Sequence, residues 1–181
     1  MSRSLPLVVV IPGIGGSELA DASGPIVYRA VLGPLLSVGR APSVLDPKNK
    51  LHPVGLIGPC SLICWQLITG YDGLLSGITT GLGLSPGHVV TAGAELVDPD
   101  ATVVAFPYDF RRSVEQIAND LDRVVCERAQ GRRVVLVAHS MGGLVAAWWW
   151  AFLSEGIEVD QIITLGTPFR GAAKALNVLV N

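Results

Sequence analysis

Charge is scarce in this sequence: only 15% of its 181 residues are Asp, Glu, Lys or Arg, and the 13 basic against 15 acidic side chains leave a net charge of -2. No basic cluster stands out, which excludes a nucleic-acid partner, whose phosphates require a positively charged face. Cysteine is scarce as well. Cys60, Cys64 and Cys126 are an odd number without framework spacing, so a disulfide scaffold is excluded. Cys60, Cys64 and His52 lack a fourth ligand and lie in apolar surroundings, so no metal site is expected and the thiols are read as free and buried. No apolar run passes about a dozen residues before Gly, Pro or a charge interrupts it, short of the roughly 20 needed to span a bilayer. The apolar segment Leu5 to Ile11 is brief, runs into Pro-Gly and has no small-residue cleavage pattern, so it reads as a strand, not a signal peptide, and a cytoplasmic location is expected. GxxxxGK[ST] does not occur, and Gly13-x-Gly15 is followed by Glu18 where a dinucleotide loop needs a small residue. Neither a nucleotide nor any other cofactor is expected.

What the chain does have is apolar residues, 50% of the total, which makes a buried core easy to form. They are organised around Arg132 to Leu153. Val134 to Ala138 is a β-branched run bounded by Gly131 and His139-Ser140, suited to a parallel strand buried on both faces. From Met141 to about Ser154 the residues favour a helix, with Gly156 placed to cap it. Between the two lies Ala138-His139-Ser140-Met141-Gly142, a nucleophile elbow with alanine for the first glycine. So tight a turn needs small residues two positions either side of the serine. It would place the Ser140 hydroxyl at the carboxyl edge of a sheet, above a helix N-terminus that favours a developing anion, with the Met141 N–H as an oxyanion donor. Ala-x-Ser-x-Gly also arises by chance; a strand before it and a helix after it are the context that gives it chemical meaning.

Taken in order, Leu7 to Ile11 is a strand ending in Pro12-Gly13-Ile14-Gly15-Gly16-Ser17, where the Ile14 N–H could serve as a second oxyanion donor or the loop could be a plain tight turn. Residues 20–70 are full of Gly and Pro yet apolar in their second half, and read as an irregular cap or lid, with ordinary packing against the core as the alternative. Tyr71 to Gly83 predicts a short helix followed by a glycine-rich link, and Thr102 to Phe106 a buried strand. Ser113 with Gln116 forms a capping box that opens a helix carrying Ile117, Leu121, Val124 and Val125 on one face and ended by Gly131. Asp109 and Arg111 are expected to pair and fix their loop. Gln161 to Leu165 is a further strand, and a last helix begins near Ala172. Strand and helix alternate, so the chain is read as one α/β domain over residues 1–181, a parallel sheet flanked by helices, with the loops after the strands forming the site.

PGIGGSEL, YDG, FPYDFRRS, VVLVAHSMGGLVA and TLGTPFRGA occur in the order and spacing of the lecithin:cholesterol acyltransferase family of α/β-hydrolases, and the chain resembles the amino-terminal portion of such a protein. That resemblance implies an α/β-hydrolase fold, truncated in this chain, with Ser140 as nucleophile, Met141 and Ile14 as oxyanion donors, and an acyl ester of a lipid as substrate. It is compatible with peripheral membrane contact through the apolar cap. Trp148-Trp149-Trp150 departs from the family pattern and is read as packing.

The fold supplies its triad in the order Ser, Asp, His. After Ser140 the only aspartate is Asp160, ahead of a strand and so at its wrong end, and no histidine follows at all. His139 is expected to point away from the neighbouring hydroxyl, and His52 and His88 precede the serine. The triad Asp and His are therefore not found in this chain, and the strand before GTPFRG is expected to present an open apolar edge. The alternative to an acyl-serine enzyme is a catalytically incomplete fragment or binding remnant that keeps the elbow as scaffold.

Overall fold

The computed structural model describes residues 5–24, 26–28, 45–58, 60–62, 65–68, 70–85, 88–92 and 101–171, with backbone alone for 60–62 and 65–68. The expected helix from Ala172, residues 29–44 of the expected cap, and Cys64 lie outside these residues.

A five-stranded sheet organises the molecule: β1 (Leu7–Ile11), β7 (Val89–Thr91), β8 (Val103–Ala105), β9 (Val134–His139) and β10 (Val159–Leu165), in the spatial order β10-β9-β1-β8-β7. Every pairing in it is parallel. β1 lies at the centre with all of its residues buried, because it is covered on both faces. Side chains alternate along it. Leu7, Val9 and Ile11 join one cluster with α2 (Val114–Ala129) and α3 (Met141–Phe152), while Val8 and Val10 join another that packs against Leu74, Leu75 and Ile78 of α1 (Asp72–Gly81). The two faces of β9 divide in the same way, with Leu136 and Ala138 on the first and Val137 on the second.

The chain passes from β8 through α2 to β9, stepping over β1, so strand order reverses beside β1. A crevice at the strands' carboxyl ends is expected at such a reversal. Register does the rest: Ile11 pairs with Ala138 and Ala138 with Thr164, so the residues that follow each strand emerge side by side.

Several expected boundaries move. α3 stops at Phe152, with Leu153 at its C-cap, and Gly156 (φ 80°) belongs to the succeeding turn, closed by Ile157 N–H donating to the Ser154 carbonyl. The capping box at Ser113 and Gln116 forms, and the left-handed residue that ends α2 is Gln130, with Gly131 (φ 77°) continuing the turn. β7 falls in what reads as a link, its three residues too few for periodicity to announce.

The described parts of residues 20–70 are irregular only in part, because they include short strands. β2 (Ser17–Ala20) pairs antiparallel with β3 (Ile26–Tyr28) and with β4 (His52–Leu56), and β5 (Cys60–Leu62) pairs antiparallel with β6 (Trp65–Ile68). Their short lengths and register shifts hide the alternation that a longer strand would show. Among the described residues no helix is long and apolar enough to cross a membrane.

Candidate active site

Ser140 stands between the end of β9 and the start of α3 with φ 51° and ψ -119°, a backbone conformation that costs a side-chain-bearing residue about 1–3 kcal/mol. Its N–H donates to the Leu165 carbonyl at 2.8 Å, which ties the bend to the end of β10, and its own carbonyl accepts from Gly143 N–H at 3.1 Å. The serine is half-buried, it does not cap α3, and no described residue is hydrogen-bonded to its hydroxyl. Met141 occupies the first helical position, where a backbone N–H has no intrahelical partner.

The small residues around the bend have separate causes. A Cβ on Gly142 would lie 2.7 Å from the Ile11 carbonyl oxygen and also strike that of Pro12, so the requirement at 142 comes from the end of β1. Residue 138 is confined by its neighbours in the sheet, being fully buried between Ile11 and Thr164. The need for small residues two positions either side of the serine thus comes from the adjacent strands.

The loop after β1 is braced from several directions. Gly16 N–H donates to the Gly13 carbonyl at 3.0 Å and closes the turn. Tyr108, 2% exposed, donates its hydroxyl to the Pro12 carbonyl at 2.7 Å, and its N–H donates to Ser17 Oγ at 2.9 Å. Burial pushes the Tyr108 phenol well above its usual range, so it stays a donor. Gly13 N–H is taken as well, donating at 2.8 Å to the hydroxyl of Tyr71. Among the described residues the amides of Gly13 and Gly16 have partners and those of Ile14 and Gly15 do not, and Ile14 is 68% exposed.

Beside the bend a cleft of about 390 Å³ is walled by Ile14, Ile57, Tyr71, Leu74, His139 and Leu165. It opens at the carboxyl end of the sheet, and its walls are mainly apolar. Another groove, about 540 Å³, runs along Ala147, Trp150, Ile162 and Phe169 between α3 and β10. β10 is an edge of the sheet among the described residues, with Ile163, Leu165 and Phe169 exposed, as the apolar-edge expectation had it.

None of the histidines is bonded to Ser140. His139 Nδ1 lies 2.8 Å from the Tyr71 hydroxyl, His52 is the exposed first residue of β4, and His88 precedes β7 at the amino end of the sheet. Asp160 stands near the amino end of β10 and accepts from Arg133 at 2.8 Å, far along the strand from the bend.

Asp109 and Arg111 pair as the sequence suggests: Arg111 Nε donates to Asp109 Oδ1 at 2.8 Å and Nη2 to Oδ2 at 2.7 Å. Arg111 also donates to the carbonyls of Asp46 and Asn49, pinning the loop after β8 to the segment before β4. Burial alone would raise the Asp109 carboxyl, but the bonds and charge of Arg111 outweigh it and hold it below its usual value.

Two readings of packing are corrected. Only the middle tryptophan of the three is core: Trp149 is fully buried and donates Nε1 to Asp122 at 2.9 Å, whereas Trp148 and Trp150 are 38% and 60% exposed. A helix turns about 100° per residue, so three consecutive residues cannot share one face. Cys126 is exposed on α2 near Asp122, not buried; partial desolvation and that carboxylate push its thiol up.

Tyr71 and Tyr108 carry the loop geometry, and neither is marked by periodicity. The signal was their place in YDG and FPYDF, motifs that contain a polar-tipped aromatic beside a turn.

A parallel sheet with a strained serine between its strand and a following helix defines the chain as α/β-hydrolase in architecture. The family model described as lecithin:cholesterol acyltransferase matches residues 88–181, and the chain belongs to that family. A phospholipase A(1), LCAT3, of Arabidopsis thaliana is 32% identical over 88 residues, a match that covers 42% of this chain and 19% of that relative. No solved structure matches the chain.

Proposed function

We propose that the chain acts on acyl esters of lipids through a covalent acyl-serine intermediate, with Ser140 as nucleophile. The observation that carries this reading is the positive φ of Ser140 at the strand-to-helix bend, where its hydroxyl and the amides of Met141 and Ile14 have no hydrogen-bond partner among the described residues. In the reaction the Ser140 oxygen bonds to the acyl carbon, the ester carbon–oxygen bond breaks, and an alcohol leaves. Water or a second alcohol then takes the acyl group and restores the serine. The Met141 and Ile14 N–H groups stabilise the negative charge that develops on the carbonyl oxygen, and the dipole of α3 adds to them.

A lipid ester is favoured by the apolar cleft walls Ile14, Ile57, Leu74 and Leu165, and by the name of the Arabidopsis relative, a phospholipase. The pairing of β2 with β4, and the Ile57 N–H donating to the Gly16 carbonyl, hold Gly16 and Ile57 in the wall of that cleft, which supports a cap beside the site.

Among the described residues none is hydrogen-bonded to the Ser140 hydroxyl to receive its proton. A triad serine acting without its base keeps on the order of a thousandth or less of the full rate, so the test is run for hours. A fluorophosphonate probe is expected to label the folded protein at Ser140 and to leave Ser140→Ala unlabelled. Folded protein that stays unlabelled after prolonged incubation overturns the reading.

A further inference from the structure

Tyr71 joins three parts of the molecule. It caps the start of α1, its N–H donates to the Ile57 carbonyl at 3.0 Å, and its ring is 8% exposed beneath the loop after β1. The hydroxyl lies 2.8 Å from Gly13 N and 2.8 Å from His139 Nδ1. An amide nitrogen can only donate, so the Tyr71 oxygen accepts from Gly13. Its own single proton is then free for His139 Nδ1, whose acceptor form places the ring proton on Nε2.

From this geometry we propose that Tyr71 is a positioning residue of the serine site: its hydroxyl engages the Gly13 amide, so that the donors left in the loop without a partner among the described residues are Ile14 and Gly15, and fixes His139 as the Nε2–H tautomer. The proposal rests on the reading of Ser140 as nucleophile. Two consequences follow for the site. His139 is removed as a base for Ser140, since Nδ1 is engaged and Nε2 already holds a proton. Its exposed end becomes a fixed donor in a cleft wall it shares with Ile14 and Leu165, suited to an oxygen of a bound acyl ester. Burial raises the Tyr71 phenol, so the hydroxyl keeps its proton through the neutral range, although the Gly13 N–H partly offsets the shift.

The test uses the full chain and Tyr71→Phe, which keeps the ring and removes the oxygen. Nitrogen-15 NMR of the histidine side chains, with the His139 signals assigned by their loss in His139→Gln, is expected to show Nε2 protonated and Nδ1 unprotonated in the wild type. Tyr71→Phe is expected to mix the tautomers and to speed hydrogen exchange at the Gly13 amide by about tenfold, the loss of one hydrogen bond. Fluorophosphonate labelling of Ser140 is expected to slow at least about tenfold, because a displaced donor loses transition-state stabilisation.

Wild-type His139 protonated at Nδ1 overturns the proposal, and that measurement needs no variant to fold. So do a Tyr71→Phe protein with unchanged tautomer and Gly13 exchange, and one that labels at the wild-type rate. Absence of labelling in the wild type refutes the nucleophile, and with it the role assigned to Tyr71 in that site. The tautomer and exchange measurements then report whether the hydrogen-bond bridge itself exists.

Discussion

Gly13 and Ser140 face each other across the gap between β1 and β9 so closely that a Cβ on Gly13 would lie 2.9 Å from that of Ser140. The same atom would lie 3.0 Å from His139 Nδ1. Glycine is required here by proximity, since any side chain would push the loop and its Ile14 amide away from the serine. Gly13→Ala is therefore expected to slow fluorophosphonate labelling of Ser140 about 100-fold, the usual effect of displacing a group by about 1 Å. Gly73→Ala, at a position with open space around it on α1, serves as the control. Equal labelling rates for the two variants would show that the loop takes no part.

The conformation of Ser140 suits glycine better than any other residue. Ser140→Gly is expected to abolish labelling and yet raise stability by about 1 kcal/mol, the strain relieved less the added entropy of an unfolded glycine. Ser140→Ala abolishes labelling with little change in stability, because it keeps a β-carbon at φ 51°. Urea midpoints for the three proteins decide the matter, and a Ser140→Gly protein less stable than Ser140→Ala refutes strain at this bend.

Thr167, in the turn after β10, holds its hydroxyl oxygen buried with no hydrogen-bond partner among the described residues. Valine has nearly the same shape without the polar atom. Thr167→Val is expected to stabilise the protein by about 1 kcal/mol, the desolvation cost of an unpaired hydroxyl. Thermal unfolding measures it, and a lowered midpoint would reveal a partner for that oxygen in solution.

Asp109 predicts a particular response to acid. Its carboxyl titrates below the ordinary value of 3.8 in the folded chain, so its stabilising contribution is fully present above that value and is lost as pH falls through the lower folded value. Asp109→Asn is expected to be less stable at neutral pH and to decline less steeply as pH is lowered from about 4. Denaturant midpoints at successive pH values test this. Parallel decline in wild type and variant would mean that Arg111 does not hold the carboxyl in its charged form.

The parallel sheet was legible because β1 and β9 are unbroken apolar runs ended by Gly, Pro or a polar pair, and burial on both faces demands that pattern. Ser113 and Gln116 declared the start of α2 through local chemistry that needs no tertiary context. β2 to β6 were hidden because each is short, and the pairing of β2 with β4 joins residues distant in sequence, as where Leu19 meets Pro53. The candidate site divides in the same way. Ser140 stands out by its neighbours along the chain, but the hydroxyl of Tyr71 reaches Gly13 across 58 positions, a separation no local pattern records. Trp149 was placed correctly in the core and Trp148 and Trp150 were not, since a run of like residues conceals which one faces inward.

The alignment of Ile11 with Ala138 is made by main-chain pairing. Side chains along β1 and β9 can therefore be exchanged for others of similar bulk without moving the bend or the glycine loop relative to each other. An engineer could recode the interior of both strands and expect to retain the reactive geometry, whereas one inserted residue in either strand would shear it apart.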